Sequence, residues 1–455
     1  MAETAVPTRT VSVQGKTTRT SYNVPVAWEP IKALGSGAYA AVASFRGPEN
    51  SEFAIKKVDR VFDHPVLALR TLREVRLLAH FRHPNVLAIT ELFLEGPEFR
   101  DVYLCLEIMD GDLHQLVHTA KMPLSDYQVQ CVLYQTVRGL LCLRRAHVLH
   151  RDLKPGNILV KAGGEVKIAD LGLSRTIDAE DDCHEDAVLT EYVVTRYYRA
   201  PEVVLTATQY TYAVDMWSTG CILGEMLTRR PLFEGKDSLD QIRKIVSVMG
   251  NQSADEMSWI QRSSPSWKFV EKCNQTADGE AFQKILRWPK ANPLSTDLLA
   301  RMLRFDPSRR ISVEDCLQHK YLEVFQPEND PEVAAARAVR PVDWSFDREL
   351  CFDEAGRPRS FDVRAFRSAF YKAARLAAGS SGGGTSSAIP SPRTPTRSPT
   401  TVATPNRSGE GVAASAAVPT QVSTGGHTAE ARGQTPPRRW GRRWRENNGA
   451  EPTSG

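Results

Sequence analysis

From Ile31 the chain alternates apolar and polar positions into a glycine-containing turn, out again through Val42 and around Gly47-Pro48-Glu49-Asn50. A third run follows, Ala54-Ile55-Lys56-Lys57-Val58. A period of two, broken by glycine, proline and asparagine, predicts strands joined by tight turns. The period then changes. In RTLREVRLLAHFRHPN, Leu72, Val75, Leu78 and Ala79 recur at three- and four-residue spacing, which predicts a helix with one apolar stripe that Glu74 flanks. Val102 to Met109 reads as a strand again, and a long helix is predicted from Ser125 to about Arg145, with serine as its N-cap and an acid at the next position.

Both ends of the chain lack such order. Residues 1–27 are rich in Thr, Ser and Val without helical or alternating pattern and predict a flexible arm, with structure beginning near Trp28. Residues 378–455 turn to Gly, Ser, Thr, Pro and Ala, a composition that predicts a disordered tail.

Length and composition bound the rest. The chain has 455 residues, 41% hydrophobic and 25% charged, enough for one or two ordinary cores with a long stretch left over. The net charge of +4 would suggest nucleic acid until it is located. From Ala378 onward nine Arg stand against four Glu, so the tail carries +5 and the remainder about −1. The eight cysteines form no C-x-x-C pair and meet no histidine cluster at zinc spacing, which predicts buried, reduced thiols. Apolar runs are too short to cross a bilayer, and Met1-Ala2-Glu3 opens neither a signal peptide nor a myristoylation site. The expected location is inside the cell, in the cytoplasm or the nucleus.

Three stretches carry chemistry. Leu34-Gly35-Ser36-Gly37-Ala38-Tyr39-Ala40-Ala41-Val42 could lay bare backbone over phosphates, although a glycine turn between strands is common. His150-Arg151-Asp152-Leu153-Lys154-Pro155-Gly156-Asn157 sets an acid, a lysine and an amide at the spacing of a phosphoryl-transfer site. Asp170-Leu171-Gly172 opens a segment that carries Thr190-Glu191-Tyr192 and ends in Ala200-Pro201-Glu202. Together these resemble a eukaryotic protein kinase, and within that family a MAP kinase of the extracellular-signal-regulated type.

The resemblance implies an α+β, bilobal fold. Residues 28–109 would form a β-rich N-lobe and hinge, and 110–325 a helical C-lobe with the MAP kinase insert at about 244–291. Residues 326–377 would be an extension that wraps back on the N-lobe. In that frame ATP lies under Leu34 to Val42 and against Ala54 and Leu159, with Leu106 as gatekeeper. The main chain of Glu107 and Met109 bonds adenine, and Asp112 approaches the ribose. Lys56 grips the phosphates and is fixed by Glu74. Asp152 accepts the substrate hydroxyl proton, Lys154 neutralises the moving phosphoryl group, Thr195 bonds Asp152, and Asn157 and Asp170 hold Mg²⁺. Glu202 pairs with Arg310 as a structural bond, and Asp215 opens the buried helix DMWSTGCILGEML.

By the same resemblance, phosphorylation of Thr190 and Tyr192 switches the enzyme on, since each phosphate adds charge and acceptor oxygens that arginines can hold. Thr190 would find Arg70 or Arg73, Arg151 and Arg175; Tyr192 would find Arg196 and Arg199. Proline-directed Ser/Thr phosphorylation follows, with protein substrates bearing Ser/Thr-Pro sites, phosphatases, and either an upstream dual-specificity MAP kinase kinase or autophosphorylation as partners. The chain departs from the family at Ala40, at Leu171 for Phe and at Tyr197 for Trp. Gln326 and Asn329 stand where acids are usual, so docking of basic peptides should be weaker or shifted to Glu323, Glu328, Asp330 and Glu332. The alternatives are a silent pseudokinase scaffold, which needs a lost catalytic group, and a cyclin-dependent-like kinase, against which the Thr-x-Tyr lip and the insert argue. The terminal Arg438-Arg439-Trp440-Gly441-Arg442-Arg443-Trp444-Arg445 assigns no firm nucleic-acid or membrane partner.

The tail holds Ser391-Pro392, Thr394-Pro395, Ser398-Pro399, Thr404-Pro405 and Thr435-Pro436, which fit the expected specificity. Autophosphorylation of the tail is expected: tail phosphate, read by intact mass, should be absent from Asp152→Asn enzyme purified from bacteria, and phosphate that persists there counts against it.

Overall fold

The computed structural model describes residues 7–15, 19–37, 39–177, 196–206, 211–287, 291–353 and 355–379. Five strands, β3 (Glu29–Ser36), β4 (Ala40–Arg46), β5 (Glu52–Val58), β6 (Ile89–Leu94) and β7 (Val102–Glu107), form an antiparallel sheet in the order β3-β4-β5-β7-β6. Successive side chains leave β5 on opposite faces. Phe53 and Ile55 enter one apolar cluster, while Ala54 and Val58 enter another that includes Leu72 and Val75 of α1 (Pro65–His80). Lys56 therefore shares the face of Ala54 and looks toward α1.

The first strands correct the expectation of a flexible arm. β1 (Thr8–Gln14) and β2 (Arg19–Pro25) pair antiparallel from Thr8↔Pro25 to Gln14↔Arg19. Val13, Tyr22, Val24 and Trp28 are buried with Phe45, Phe53 and Tyr103 on the sheet face away from α1, and Tyr22 meets Phe45 edge-on at 5.3 Å. Val, Thr and Tyr are strand formers whose preference depends on what they pack against. Two short alternations, Val11-Ser12-Val13 and Tyr22-Asn23-Val24, were too brief to signal a hairpin without that partner sheet.

The larger lobe is helical. β8 (Gly111–Asp112) and α2 (Leu113–His118) lead to α3 (Asp126–Arg145), which starts where the sequence predicts. Ser125 and Gln128 complete a reciprocal capping box, which satisfies two orphan N–H groups. Short strands β9 (Val148–Leu149), β10 (Ile158–Val160), β11 (Val166–Ile168) and β12 (Arg175–Thr176) line the junction of the lobes. After α4 (Pro201–Leu205), α5 (Ala213–Thr228) is buried without a break from Val214 to Met226. The helix α6 (Ser238–Met249) runs straight through Lys244, where the insert is expected to begin, and α7 (Pro265–Asn274) and α8 (Glu280–Leu286) follow within the expected span, tied to the core by Trp267, Val270 and Phe282.

From α9 (Pro293–Met302), α10 (Val313–Leu317) and α11 (Pro331–Ala335) the chain returns to the small lobe through α12 (Ser345–Cys351) and α13 (Val363–Gly379). Phe366, Phe370, Ala373 and Ala377 are buried, with Phe370 edge-on to Phe62 and Phe99. Among the described residues no helix is long and apolar enough to cross a membrane.

Glu202 and Arg310 pair as expected. Their forked contacts are 2.7 and 3.0 Å, with side chains 2% and 0% exposed. Arg310 also donates to the carbonyls of Ala213 and Arg304, so the ion pair joins α4, α5 and the loop before α10. Glu202→Ala leaves that guanidinium buried without its counter-ion and should cost about 3–5 kcal/mol in urea unfolding.

Candidate phosphoryl-transfer site

The turn between β3 and β4 is closed by Gly37 N–H donating to Ala40 O at 2.8 Å. Across the sheet Gly35 lies opposite Val42, and Val42 opposite Lys56. A Cβ at Gly35 would meet nothing within 4 Å, so no protein packing demands glycine there, which suits a backbone kept bare for a ligand. Tyr39 is exposed, and Ala38 lies outside the described residues.

Lys56 sits between two acids, Glu74 at 2.6 Å and Asp170 at 3.5 Å. Burial alone would lower the pKa of its ammonium, but Glu74 and Asp170 outweigh that and hold it protonated above its ordinary range. Burial pushes the Glu74 carboxyl up against the pull of Lys56, whereas Lys56 draws Asp170 down. Asp170 is thus an ionised carboxylate, and its side chain is 47% exposed, open to a cation. Leu171 is fully buried where the resemblance leads one to expect Phe, and α1 rests on the turn that contains it.

Two residues in the left-handed region, Arg151 (φ 69°) and Asp170 (φ 65°), shape the site. Non-glycine residues there cost of order 1 kcal/mol or more and persist when neighbours over-determine them. Asp215 supplies that hold for Arg151, accepting the N–H groups of His150 and Arg151 at 2.9 Å each from a buried position. His150 Nε2 contacts Ala169 O at 3.0 Å, and Ala169 N–H donates to Asn157 O at 2.9 Å, so the loop and the strand before Asp170 are bonded together. In the sequence alone Asp215 stands only as the start of a helix.

Asp152 is gathered with the groups expected beside it. Lys154 Nζ lies 2.7 Å from Asp152 Oδ2, and Asn157 Nδ2 donates to Asp152 O at 2.8 Å and to Oδ2 at 3.2 Å. The amide nitrogen is spent there, so the oxygen is the atom of Asn157 that could face a cation. One ionised carboxylate plus one amide oxygen fit Mg²⁺, which takes few protein ligands and fills its shell with phosphate and water.

Along the hinge, Leu106, Met109 and Ala54 are buried, and Leu34, Val42 and Leu159 are partly buried against the same core. The Glu107 carboxylate pairs with Lys167 at 2.8 Å, turned to the large lobe, while its main chain ends β7 opposite Phe53. Asp112 has a second part beside the expected one: each of its oxygens accepts from Gln115, at 2.8 Å from N and 2.9 Å from Nε2, as the N-cap of α2. A ribose contact would have to share them.

The arginines divide. Arg73 is corrected as a phosphate ligand in this structure: it is 1% exposed and forks onto Asp347 of α12 at 2.8 and 2.7 Å, tying α1 to the C-terminal extension. No local signal in the sequence could have found that partner, 274 residues away. Arg70 is packed close enough to Arg73 and Arg151 that burial and both guanidiniums lower its pKa. Arg175 donates to Ser174 O at 2.8 Å and Arg196 to Lys236 O at 3.0 Å, while Arg199 follows in the turn closed on Arg196. Thr190, Tyr192 and Thr195 lie outside the described residues.

Lys56→Met should keep the fold and lower the rate of phosphate transfer by about 10²-fold or more, as expected when one preorganised charge is removed from a transition state. Steady-state transfer from Mg-ATP to peptide, read beside the thermal midpoint, checks this.

Residues 28–322 match the protein kinase domain family. Mitogen-activated protein kinase 7 of Arabidopsis thaliana is 42% identical over 339 residues, which cover 73% of this chain and 89% of that protein. Mitogen-activated protein kinase homolog NTF3 of Nicotiana tabacum is 43% identical over 304 residues, 66% of this chain and 79% of its own length. Extracellular signal-regulated kinase 1 of Dictyostelium discoideum is 41% identical over 333 residues, 72% of this chain and 61% of its own. With Lys56, Glu74, Asp152, Asn157 and Asp170 brought into one site, and with these relatives over most of its length, the chain belongs to the protein kinase family and, within it, to the MAP kinases.

Proposed function

We propose that this serine/threonine kinase transfers the γ-phosphate of ATP to Ser-Pro and Thr-Pro sites and is switched on by phosphorylation of Thr190 and Tyr192. The observation that carries the reading is Lys56 held between Glu74 and Asp170, with Asp152, Lys154 and Asn157 in mutual contact beside them. All the groups whose loss would make a silent scaffold are present.

Asp152 takes the proton of the substrate hydroxyl as its oxygen attacks phosphorus. Lys154, bonded to that carboxylate, offsets charge on the phosphoryl oxygens, and Lys56 grips the phosphates left behind. Asn157 and Asp170 would hold Mg²⁺, which when bound would supply charge neutralisation at the phosphates. Because the transition state is loose, these residues contribute position and electrostatics more than covalent chemistry.

Proline direction rests on the resemblance of the segment from Val193 to Arg199 to a pocket that accepts a residue without an N–H donor. The switch rests on Thr190-Glu191-Tyr192 and the arginine supply around it. With Arg73 engaged by Asp347, a phosphate on Thr190 finds Arg70, Arg151 and Arg175 first. The lip is phosphorylated by an upstream dual-specificity kinase or by the enzyme itself. Docking of basic partner peptides is weak, since Asp330 is bound internally and the exposed acids nearby are Glu323 and Glu328.

Transfer from Mg-ATP to paired Ser-Pro and Ser-Ala peptides, before and after double phosphorylation, tests the reading. Strong transfer to Ser-Pro alone, and only after phosphorylation, is the expected result. Equal activity beforehand removes the switch, and equal use of Ser-Ala removes the proline preference. No transfer in either state, with Asp152→Asn indistinguishable from the natural enzyme, overturns the kinase mechanism.

A further inference from the structure

At the start of α11, 9% exposed, the Asp330 side chain makes three bonds inside the protein. Its Oδ2 accepts from Arg138 Nη1 at 2.7 Å and from Tyr134 OH at 2.5 Å, and its Oδ1 caps Glu332 N–H at 2.8 Å. Arg138 reaches further. Its Nε donates to Asn85 Oδ1 at 2.5 Å.

Asn85, 1% exposed, sits in the turn after α1, and its polar groups are all spoken for. Its Nδ2 donates to Val166 O at 2.8 Å and to Gln135 Oε1 at 3.1 Å, its N–H donates to His83 Nδ1 at 3.1 Å, and its carbonyl accepts from Ile168 N–H at 2.9 Å. Asn85 therefore grips both ends of β11. The next residue, Ala169, donates to Asn157 O at 2.9 Å, and the one after it is Asp170. No slack exists on the other side, because a Cβ on Gly139 of α3 would come within 2.8 Å of Asn85 O and 2.9 Å of Ile168 Cδ1. Close-packed contacts of this kind transmit displacement rather than absorb it.

We propose that Asp330 is a positioning residue for the magnesium site: it orients Arg138, which locks Asn85, which sets β11 and so the placement of Asp170 relative to Asn157. Without the carboxylate, the Arg138 guanidinium is a largely buried charge that lacks its counter-ion. It gains most by turning to solvent, which takes its hydrogen bond away from Asn85 and loosens the grip on Val166 and Ile168. The inference rests on reading Asn157 and Asp170 as magnesium ligands. It assigns Asp330 inward work, where the sequence had counted it among acids open to docking peptides.

The test is Asp330→Asn, which removes the charge yet keeps a good N-cap for α11. The readout is the gain in ATP affinity that Mg²⁺ brings, from calorimetric titration of the full chain with and without the metal, so the result does not depend on lip phosphorylation. Asp330→Asn should cut that gain roughly 3- to 10-fold while metal-free affinity stays put, and Arg138→Gln should match it. The double variant should be no worse than the worse single one, as for residues acting through one chain of contacts. If Asp330→Asn does not fold, Tyr134→Phe, which removes one bond to the same oxygen, should still cut the gain by about 2-fold.

A lower thermal midpoint with an unchanged magnesium gain makes Asp330 merely structural and overturns the proposal. So does a defect confined to a raised KM for substrates that carry a basic docking segment. If the natural enzyme itself gains nothing from Mg²⁺, the ligand assignment falls and takes this inference with it; a gain kept in Asp330→Asn sinks the positioning role alone.

Discussion

The contact between Lys56 and Glu74 decides whether the small lobe can serve the large one. At 2.6 Å and mostly buried, it joins the central strand of a sheet to a helix that the sequence alone would leave free to pivot. Removing two charges from water is expensive, and the pair is stable only because the geometry is close and Asp170 adds a second acid to the lysine. Nature could have filled that space with apolar side chains at less electrostatic cost. What the charges do that apolar side chains could not is hold the Lys56 ammonium protonated at the mouth of the site.

That requirement explains why α1 is fastened from both sides. Glu74 faces inward to the site, while its neighbour Arg73 faces the C-terminal extension through Asp347. Phe366 and Phe370 of α13 extend the same support along the small lobe. Beneath the helix, the buried Leu171 completes the floor. The extension is thus part of the apparatus that fixes helix position, and the site depends on residues that never touch substrate.

Much of the catalytic constellation was legible because it is local. Asp152, Lys154 and Asn157 fall within one turn of chain, and their contacts of 2.7 to 3.2 Å follow from that spacing once the loop is held. Helix α3 announced itself through Ser125, since an N-cap acts within three residues. The N-terminal hairpin did not, because its Val and Tyr residues acquire meaning only against Phe45 and Phe53. Asp112 reads identically in sequence as a ribose contact or as a helix cap, and only geometry shows that Gln115 holds it.

The sequence by itself determined the reaction, since phosphoryl transfer needs a small set of charged and amide groups at fixed spacing, and short-range order along a chain records spacing. It also determined the lobes' secondary structure wherever periodicity ran long enough. The tertiary structure decided which charge meets which. Arg73 chose Asp347 and Asp330 chose Arg138, because a buried ion must find whatever counter-ion the packing brings within about 3 Å, and the energy of that meeting has no trace in local pattern.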